Sequence, residues 1–182
     1  MKHLLLVLIT LLPFTTSAVE YQFDVGYSQV EHAWRGEDKY AQFTDTLNGV
    51  GLTAWYGNIG IRGGYIKGKD LNTAGRFKSI TIRLKHIISL EVLCRYQVTD
   101  YLSVMAGIGT YKIPLPQYWK GINPKSHAAT DADDDEGYIL GAQIDLDGNW
   151  GMGWRFTHYS RIKSNTFDEW TKGHSLYVSY KF

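Results

Sequence analysis

The feature that most constrains this chain is a strict alternation of apolar and polar residues along residues 79–97. Its even positions are apolar with one exception, and its odd positions are polar with two exceptions. Successive side chains of a β-strand point to opposite faces, whereas a helix would scatter these residues around its axis. The same pattern predicts seven further strands, at 21–28, 48–56, 59–66, 102–111, 138–146, 150–160 and 174–182.

The connections between these strands alternate in length. Tight turns are predicted at 57–58, 99–100 and 147–149. Long polar loops are predicted at about 30–46, 67–78, 112–136 and 161–172. Short turns at one end and large loops at the other are typical of a transmembrane barrel. In the competing soluble folds, a β-sandwich or a lipocalin-like barrel, the apolar face would point inward instead.

The residues on the two faces favour the membrane barrel. The polar face is rich in glycine and serine, unlike strands that meet water, and it has a few scattered charges: Asp24, Arg62, Glu91, Arg95, Asp145, Arg155 and Lys181. Aromatic residues on the apolar face form two girdles: Tyr21, Tyr56, Tyr96, Trp150 and Phe182 at the turn end, and Tyr27, Tyr65 and Tyr138 at the loop end. The sequence therefore predicts an all-β fold, an eight-stranded antiparallel up-and-down transmembrane β-barrel. Buried charges need partners, so we expect ion pairs in the lumen.

The first 18 residues have the organisation of a secretory signal peptide. Lys2 precedes an apolar run, and small residues lead up to Ala18. The run is much shorter than the roughly 20 residues of a membrane-spanning helix, so we expect cleavage after Ala18 and a single barrel domain at 19–182. The 19 Lys and Arg nearly balance the 18 Asp and Glu, which argues against a nucleic-acid partner.

The C-terminal residues carry a resemblance to a known group of proteins. Leu176, Val178, Tyr180 and the terminal Phe182 resemble the outer-membrane assembly signature, which in the bacterial families engages the barrel insertion machinery. With the signal peptide and eight strands, the mature chain resembles the small outer-membrane β-barrels of the OmpX, Ail and OmpA-barrel type. That resemblance implies the bacterial outer membrane, contact with its lipids and lipopolysaccharide, and a non-catalytic surface role in which the loops bind an extracellular ligand.

A second interpretation is enzymatic and rests on the predicted seventh strand. His158 and Ser160 are two residues apart, so an unbroken strand would place both on the lipid-facing side near its outer end. A nucleophilic serine needs a base that is oriented by an acid, and Asp168 and Glu169 follow in the next connection. The His-x-Ser element resembles that of the PagL-type lipid A deacylases, which implies a 3-O-deacylase that cuts an acyl ester of lipid A. Arg161 stands where that family usually has asparagine.

A third interpretation is a narrow channel for small molecules. Eight strands enclose a lumen that side chains just fill, and the inward glycines leave room for larger neighbours, so a packed interior is the favoured expectation. The acidic run at 131–136 lacks the glycine and the glutamate that an EF-hand loop requires at fixed positions. The sequence indicates no cofactor and no catalytic metal.

Overall fold

The structure is a computed structural model that describes residues 19–36, 40–72, 81–112, 135–146, 148–163 and 167–182. These ranges form eight strands: β1 Glu20–Gly36, β2 Tyr40–Tyr56, β3 Ile59–Asn72, β4 Thr81–Gln97, β5 Leu102–Lys112, β6 Asp135–Asp145, β7 Trp150–Lys163 and β8 Phe167–Lys181. Within them, no helix is long and apolar enough to cross a membrane. The predicted signal peptide and the acidic run before residue 135 lie outside the described residues.

The strands form a closed antiparallel barrel. Each strand pairs with the next in sequence, and β8 pairs back with β1. At the seam the Phe182 amide donates to the Tyr21 carbonyl at 2.9 Å, and the Tyr21 amide donates in return at 3.2 Å. The predicted fold is therefore confirmed. Closure satisfies strand edges that could find no hydrogen-bond partner in hydrocarbon.

The paired positions climb steadily around the barrel wall. If one starts at Asp24 and moves from each residue to its pairing partner on the next strand, through β2, β3, β4 and β5, one reaches Asp135 on β6. In the other direction, through β8 and β7, one reaches Asp145 on β6, which is ten residues from Asp135. With eight strands, this stagger corresponds to a tilt of about 40° from the barrel axis and a lumen that side chains can fill.

Side-chain exposure confirms the inverted polarity. Large apolar side chains on the outer face are open to the surroundings, such as Leu90 at 59% and Ile61 at 58%, whereas Asp24 and Arg62 in the lumen are 3% and 7% exposed. At the turn end, Tyr21, Tyr180 and Phe182 form stacked ring contacts at 6.0 and 6.5 Å. These contacts place the terminal aromatic residue in the predicted turn-side girdle.

Two of the predicted loops are mostly strand. The predicted loop 30–46 is a hairpin extension in which β1 and β2 stay paired as far as Arg35 and Tyr40. In the predicted loop 161–172, β7 continues to Lys163 and β8 begins at Phe167. In the outer part of β1 the buried apolar residues Val30 and Ala33 are three residues apart, so the strict alternation disappears while backbone pairing continues. The predicted tight turns are present, with Gly57 at φ 58° and Gly148 at φ 77°, values that favour glycine.

The extended strands form two separate structures beyond the apolar band: a hairpin in which β3 and β4 stay paired as far as Asn72 and Thr81, and a larger sheet of four strands. Strands β7, β8, β1 and β2 remain paired along their outer parts. Among the described residues, pairing between β2 and β3 ends at Gly49 and Ile66, and pairing between β6 and β7 ends at Tyr138 and His158. We call residues 31–36, 40–46, 160–163 and 167–173 the protruding sheet. Its two lateral edges, on β2 and β7, have no strand partner among the residues that the structure describes.

The outer face yields a test of membrane depth. Val178→Arg places a charge near mid-membrane and should lower the free energy of unfolding in lipid vesicles by roughly 2–4 kcal/mol, whereas Asn48→Arg near the outer boundary should cost roughly 0–1 kcal/mol. Urea titration of the refolded barrel measures both values. Equal costs for the two variants would contradict the assignment of the outer face to lipid.

Candidate functional site

The lumen contains a buried cluster of four charged side chains, which we call the ionic cluster: Asp24, Arg62, Glu91 and Arg155. Arg62 is its centre. Its Nη2 and Nε donate to the two carboxylate oxygens of Asp24 at 2.8 and 3.1 Å, and its Nη1 donates to Glu91 Oε2 at 3.2 Å. Two-pronged contacts between a guanidinium and a carboxylate are among the strongest hydrogen bonds in proteins. One arginine thus holds β1, β3 and β4 together across the lumen.

Arg155 balances the charge of this cluster but is held more loosely. Its Nη1 lies 3.8 Å from Asp24 Oδ1, and its guanidinium carbon lies 4.7 Å from the centre of the Tyr177 ring. Its Nε has no hydrogen-bond partner in the part of the chain that the structure describes. Two acids and two bases therefore neutralise each other, as buried charges require.

Two glycines make room for Arg62. A methyl group on Gly51 would overlap the Arg62 guanidinium, and one on Gly64 would lie 2.5 Å from Arg62 Nη1 and from Ser89 Oγ. Any larger residue would displace the arginine from its carboxylates. The expectation that inward glycines accommodate large neighbours is confirmed here, and the neighbour is the residue that organises the lumen.

A second polar layer closes the turn end of the lumen. Arg95 pairs with Glu20 at 3.0 Å and lies over the Trp55 ring at 4.4 Å. Lys181 pairs with Asp145 at 2.8 Å. All seven predicted inward charges therefore lie in ion pairs. Sequence reasoning missed Glu20 because it began the first strand one residue later.

An apolar layer lies above the ionic cluster. Val30, Leu47, Ile87, Tyr111 and Tyr159 are buried in the lumen. The rings of the two tyrosines meet edge to face at 5.1 Å. Between this layer and the ionic cluster lies a cavity of about 30 Å³, which is room for about one water molecule. Sequence reasoning missed this layer, because Ile87 is an apolar exception in a polar series.

Strand β7 does not keep the geometry that the enzymatic interpretation assumed. His158 pairs with Lys172, but Ser160 pairs with Thr171, so the register shifts between them. A β-bulge interrupts the alternation of side chains, so a spacing of two residues is no longer an argument that His158 and Ser160 share a face. The side chains of Ser160, Asp168 and Glu169 lie outside the described part of the chain, so their catalytic roles stay predictions.

Three histidines mark the outer boundary of the apolar band. His158 stacks on Tyr138 at 5.1 Å, and His86 stacks on Tyr65 at 5.9 Å. His174 lies 5.1 Å from the Phe156 ring and 5.8 Å from the Trp154 ring. An imidazole combines a flat ring with polar nitrogens, which suits the boundary between hydrocarbon and headgroups. His158 therefore has a structural role that is independent of catalysis.

Comparison with known proteins gives a consistent family and fold. The model of the outer membrane protein beta-barrel domain matches residues 4–182. The fold is similar to Ail, the attachment invasion locus protein of Yersinia pestis (TM-score 0.51, 12% identity, 91% of this chain and 100% of that chain). It is also similar to Neisserial surface protein A (TM-score 0.55, 13% identity, 88% of this chain and 97% of that chain). A third similar structure is the outer membrane protein AlkL (TM-score 0.55, 13% identity, 94% of this chain and 95% of that chain). Identities this low show a shared fold alone. No curated protein matches the sequence.

The ionic cluster predicts a ranking of charge deletions. Arg62→Gln leaves Asp24 and Glu91 facing each other without their shared partner, and should lower the free energy of unfolding by about 3–5 kcal/mol. Lys181→Gln removes a charge from a more exposed pair and should cost less. Urea unfolding, followed by the heat-dependent shift of the folded barrel on gels, measures both. If the two variants are equally stable, Arg62 is not the centre of the lumen.

Proposed function

Because this chain belongs to the family of outer membrane proteins with a β-barrel domain, it is a protein of the bacterial outer membrane, and we propose that it acts there as a non-catalytic surface protein. In this proposal the protruding sheet binds an extracellular ligand. The observation that carries it is that four neighbouring strands, β7, β8, β1 and β2, stay paired far beyond the apolar band.

The protruding sheet is long enough to reach well beyond the membrane. From Asn48 to Tyr40, β2 extends about 27 Å along the strand, and β1 and β8 accompany it. Its edge on β2 has no strand partner among the described residues, and the backbone groups of such an edge serve as a template for another strand. Extended peptide segments commonly bind by adding a strand to such an edge. We infer that the ligand is a protein that presents an extended segment.

The packing of the lumen favours this role over a channel. The ionic cluster, the apolar layer above it and the polar layer at the turn end lie one above another in the described lumen, and the cavity between the first two has about 30 Å³. Arg62 bridges two carboxylates across the lumen, and leaving buried charges unpaired is costly. The barrel wall is therefore best understood as a rigid support for the sheet.

A lipid A hydrolase is the second candidate, and one observation favours it. His158 lies on the outer face at the boundary of the apolar band, beside Tyr138, at the height of the acyl esters of an outer-leaflet lipid. In this proposal His158 is the base, Ser160 the nucleophile, and Asp168 or Glu169 the orienting acid. The bulge weighs against it, because the two-residue spacing no longer supports a shared face.

Shortening the protruding sheet tests the surface role. Replacing residues 31–44 by Asn-Gly joins the paired residues Val30 and Asp45 through a tight turn. Cells that display this variant should lose binding to a coat of serum proteins, while the barrel still assembles. A matched variant that shortens residues 113–134 instead should bind like the wild type. Undiminished binding by the short hairpin would contradict the proposed role of the sheet.

Lipid A mass spectrometry decides the enzymatic alternative. On the surface-protein proposal, cells with and without the protein contain the same lipid A, and Ser160→Ala changes nothing. Loss of one acyl chain with the wild type, abolished by Ser160→Ala in a barrel that is equally well assembled, would establish the hydrolase and overturn the non-catalytic proposal.

A further inference from the structure

The lipid-facing surface contains a notch at Gly63. Within the described residues, Gly63 is the one glycine at an outward position of a strand. A methyl group added to it would meet no atom within 4 Å. Its paired neighbours are Leu52 and Leu90, both exposed large side chains, and Ile61 and Tyr65 flank it along β3. Glycine weakens a strand and often marks a place where another molecule approaches closely.

Basic side chains lie on the same strands, on the outer side of this notch. Lys67 is four residues from Gly63 along β3, which is about 13 Å, and it pairs with His86 on β4. Lys112 on β5 pairs with Ile88. Because the strands are tilted, a residue on β5 lies farther from the turn end than its pairing partner on β4. Lys112 is therefore farther out than Ile88 and lies within about one residue of the height of His86. The patch ends at Glu136 on β6, which pairs with Thr110.

The lysines of this patch differ in their ion pairing from Lys172, which lies at the same level on the other side of the barrel. There, Lys172 is already paired with Glu31 at 3.0 Å. No ion pair joins Lys67 or Lys112 to another side chain that the structure describes. His86 is fixed by its stacking on Tyr65. The patch therefore offers an anion two mobile ammonium groups and one oriented imidazole.

We propose that the outer surface of β3, β4 and β5 binds one phosphorylated lipid of the outer leaflet. A phosphate lies among Lys67, His86 and Lys112, and one acyl chain descends past Tyr65 into the notch at Gly63. Lysine ammonium groups bind phosphate as point charges, and their long stems reach up from the apolar band to the headgroups. The cations lie at the headgroup level and the notch lies deeper in the apolar band. A lipid of this kind has its phosphate and its acyl chain in the same order.

A second copy of the barrel is the competing occupant of the notch. Two barrels that met at Gly63 would bring Lys67, His86 and Lys112 of each copy close to those of the other. Like charges in a low-dielectric boundary repel, so this face is unfavourable for self-association. A phosphate is complementary in charge to these side chains, so the lipid is the favoured occupant. This proposal about lipid binding is independent of the proposed role of the protruding sheet.

Native mass spectrometry of the full-length protein, released from detergent, tests the site. The probes are lipid A with two phosphates, lipid A with one phosphate, and phosphatidylcholine. The wild type should retain one lipid A and prefer it to phosphatidylcholine. Lys67→Gln and Lys112→Gln should each lower retention about fivefold, the effect of one cation near a membrane surface. His86→Phe, which keeps a ring beside Tyr65, should also lower retention, and the form of lipid A with one phosphate should be retained less well.

The notch has its own variants and controls. Gly63→Leu fills open space without disturbing the barrel and should lower lipid A retention, whereas Ala142→Leu on β6 should leave it unchanged. Lys172→Gln, whose charge is already neutralised, should also have no effect. Equal retention by all variants would overturn the proposal, as would dimers that Gly63→Leu dissociates. Retention of inorganic phosphate alone, lost in Lys67→Gln, would overturn the assignment to a lipid.

Discussion

The structure depends on one constraint: a backbone amide or carbonyl inside hydrocarbon finds no water and must pair within the protein. The pairing of β8 with β1 closes the barrel and meets this requirement. At the end of the seam, the backbones of Tyr21 and Phe182 donate a hydrogen bond to each other. A closed wall of eight strands then fixes which side chains meet lipid and which share the lumen. The outer face must be apolar, so every charge that the strands carry within the membrane is forced inward.

Confinement in the lumen explains the arrangement of charges and glycines. A narrow interior cannot hydrate charges, so acids and bases must meet one another. Arg62 contacts both Asp24 and Glu91, and Gly51 and Gly64 leave the space that its guanidinium occupies. Above this cluster lies the buried apolar layer. In the proposed functions the barrel wall is a support, and the parts of the chain that bind partners lie outside it: the protruding sheet, and the boundary where Lys67 and His86 meet the headgroups.

The sequence predicts the features that follow from alternation, and misses those that break it. The pattern along residues 79–97 sets the faces of β4, and the inward charges it assigns, such as Glu91 and Arg95, do lie in ion pairs. In the outer part of β1 the buried apolar residues no longer alternate, as Val30 and Ala33 show, so the extensions of β1 and β2 are predicted as a loop. The bulge after His158 depends on the pairing of β7 with β8, which one strand's sequence does not encode. The alternation places Gly63 in a strand, but its importance depends on its paired neighbours Leu52 and Leu90 and on the lysine farther out on the same strand.

The central claim, that the apolar face of the barrel meets lipid, is tested most directly by spin labels on β4. The single cysteine, Cys94, lies exposed on that face and can be labelled without mutation. Further labels at Val92, Leu90 and Ile88 in a Cys94→Ala background extend the series across the membrane. In bilayer vesicles these labels should collide often with oxygen, most often near Val92, and rarely with a water-soluble nickel chelate, unlike a label at Asn58 in the turn. Nickel collisions at Val92 as frequent as those at Asn58 would contradict the account.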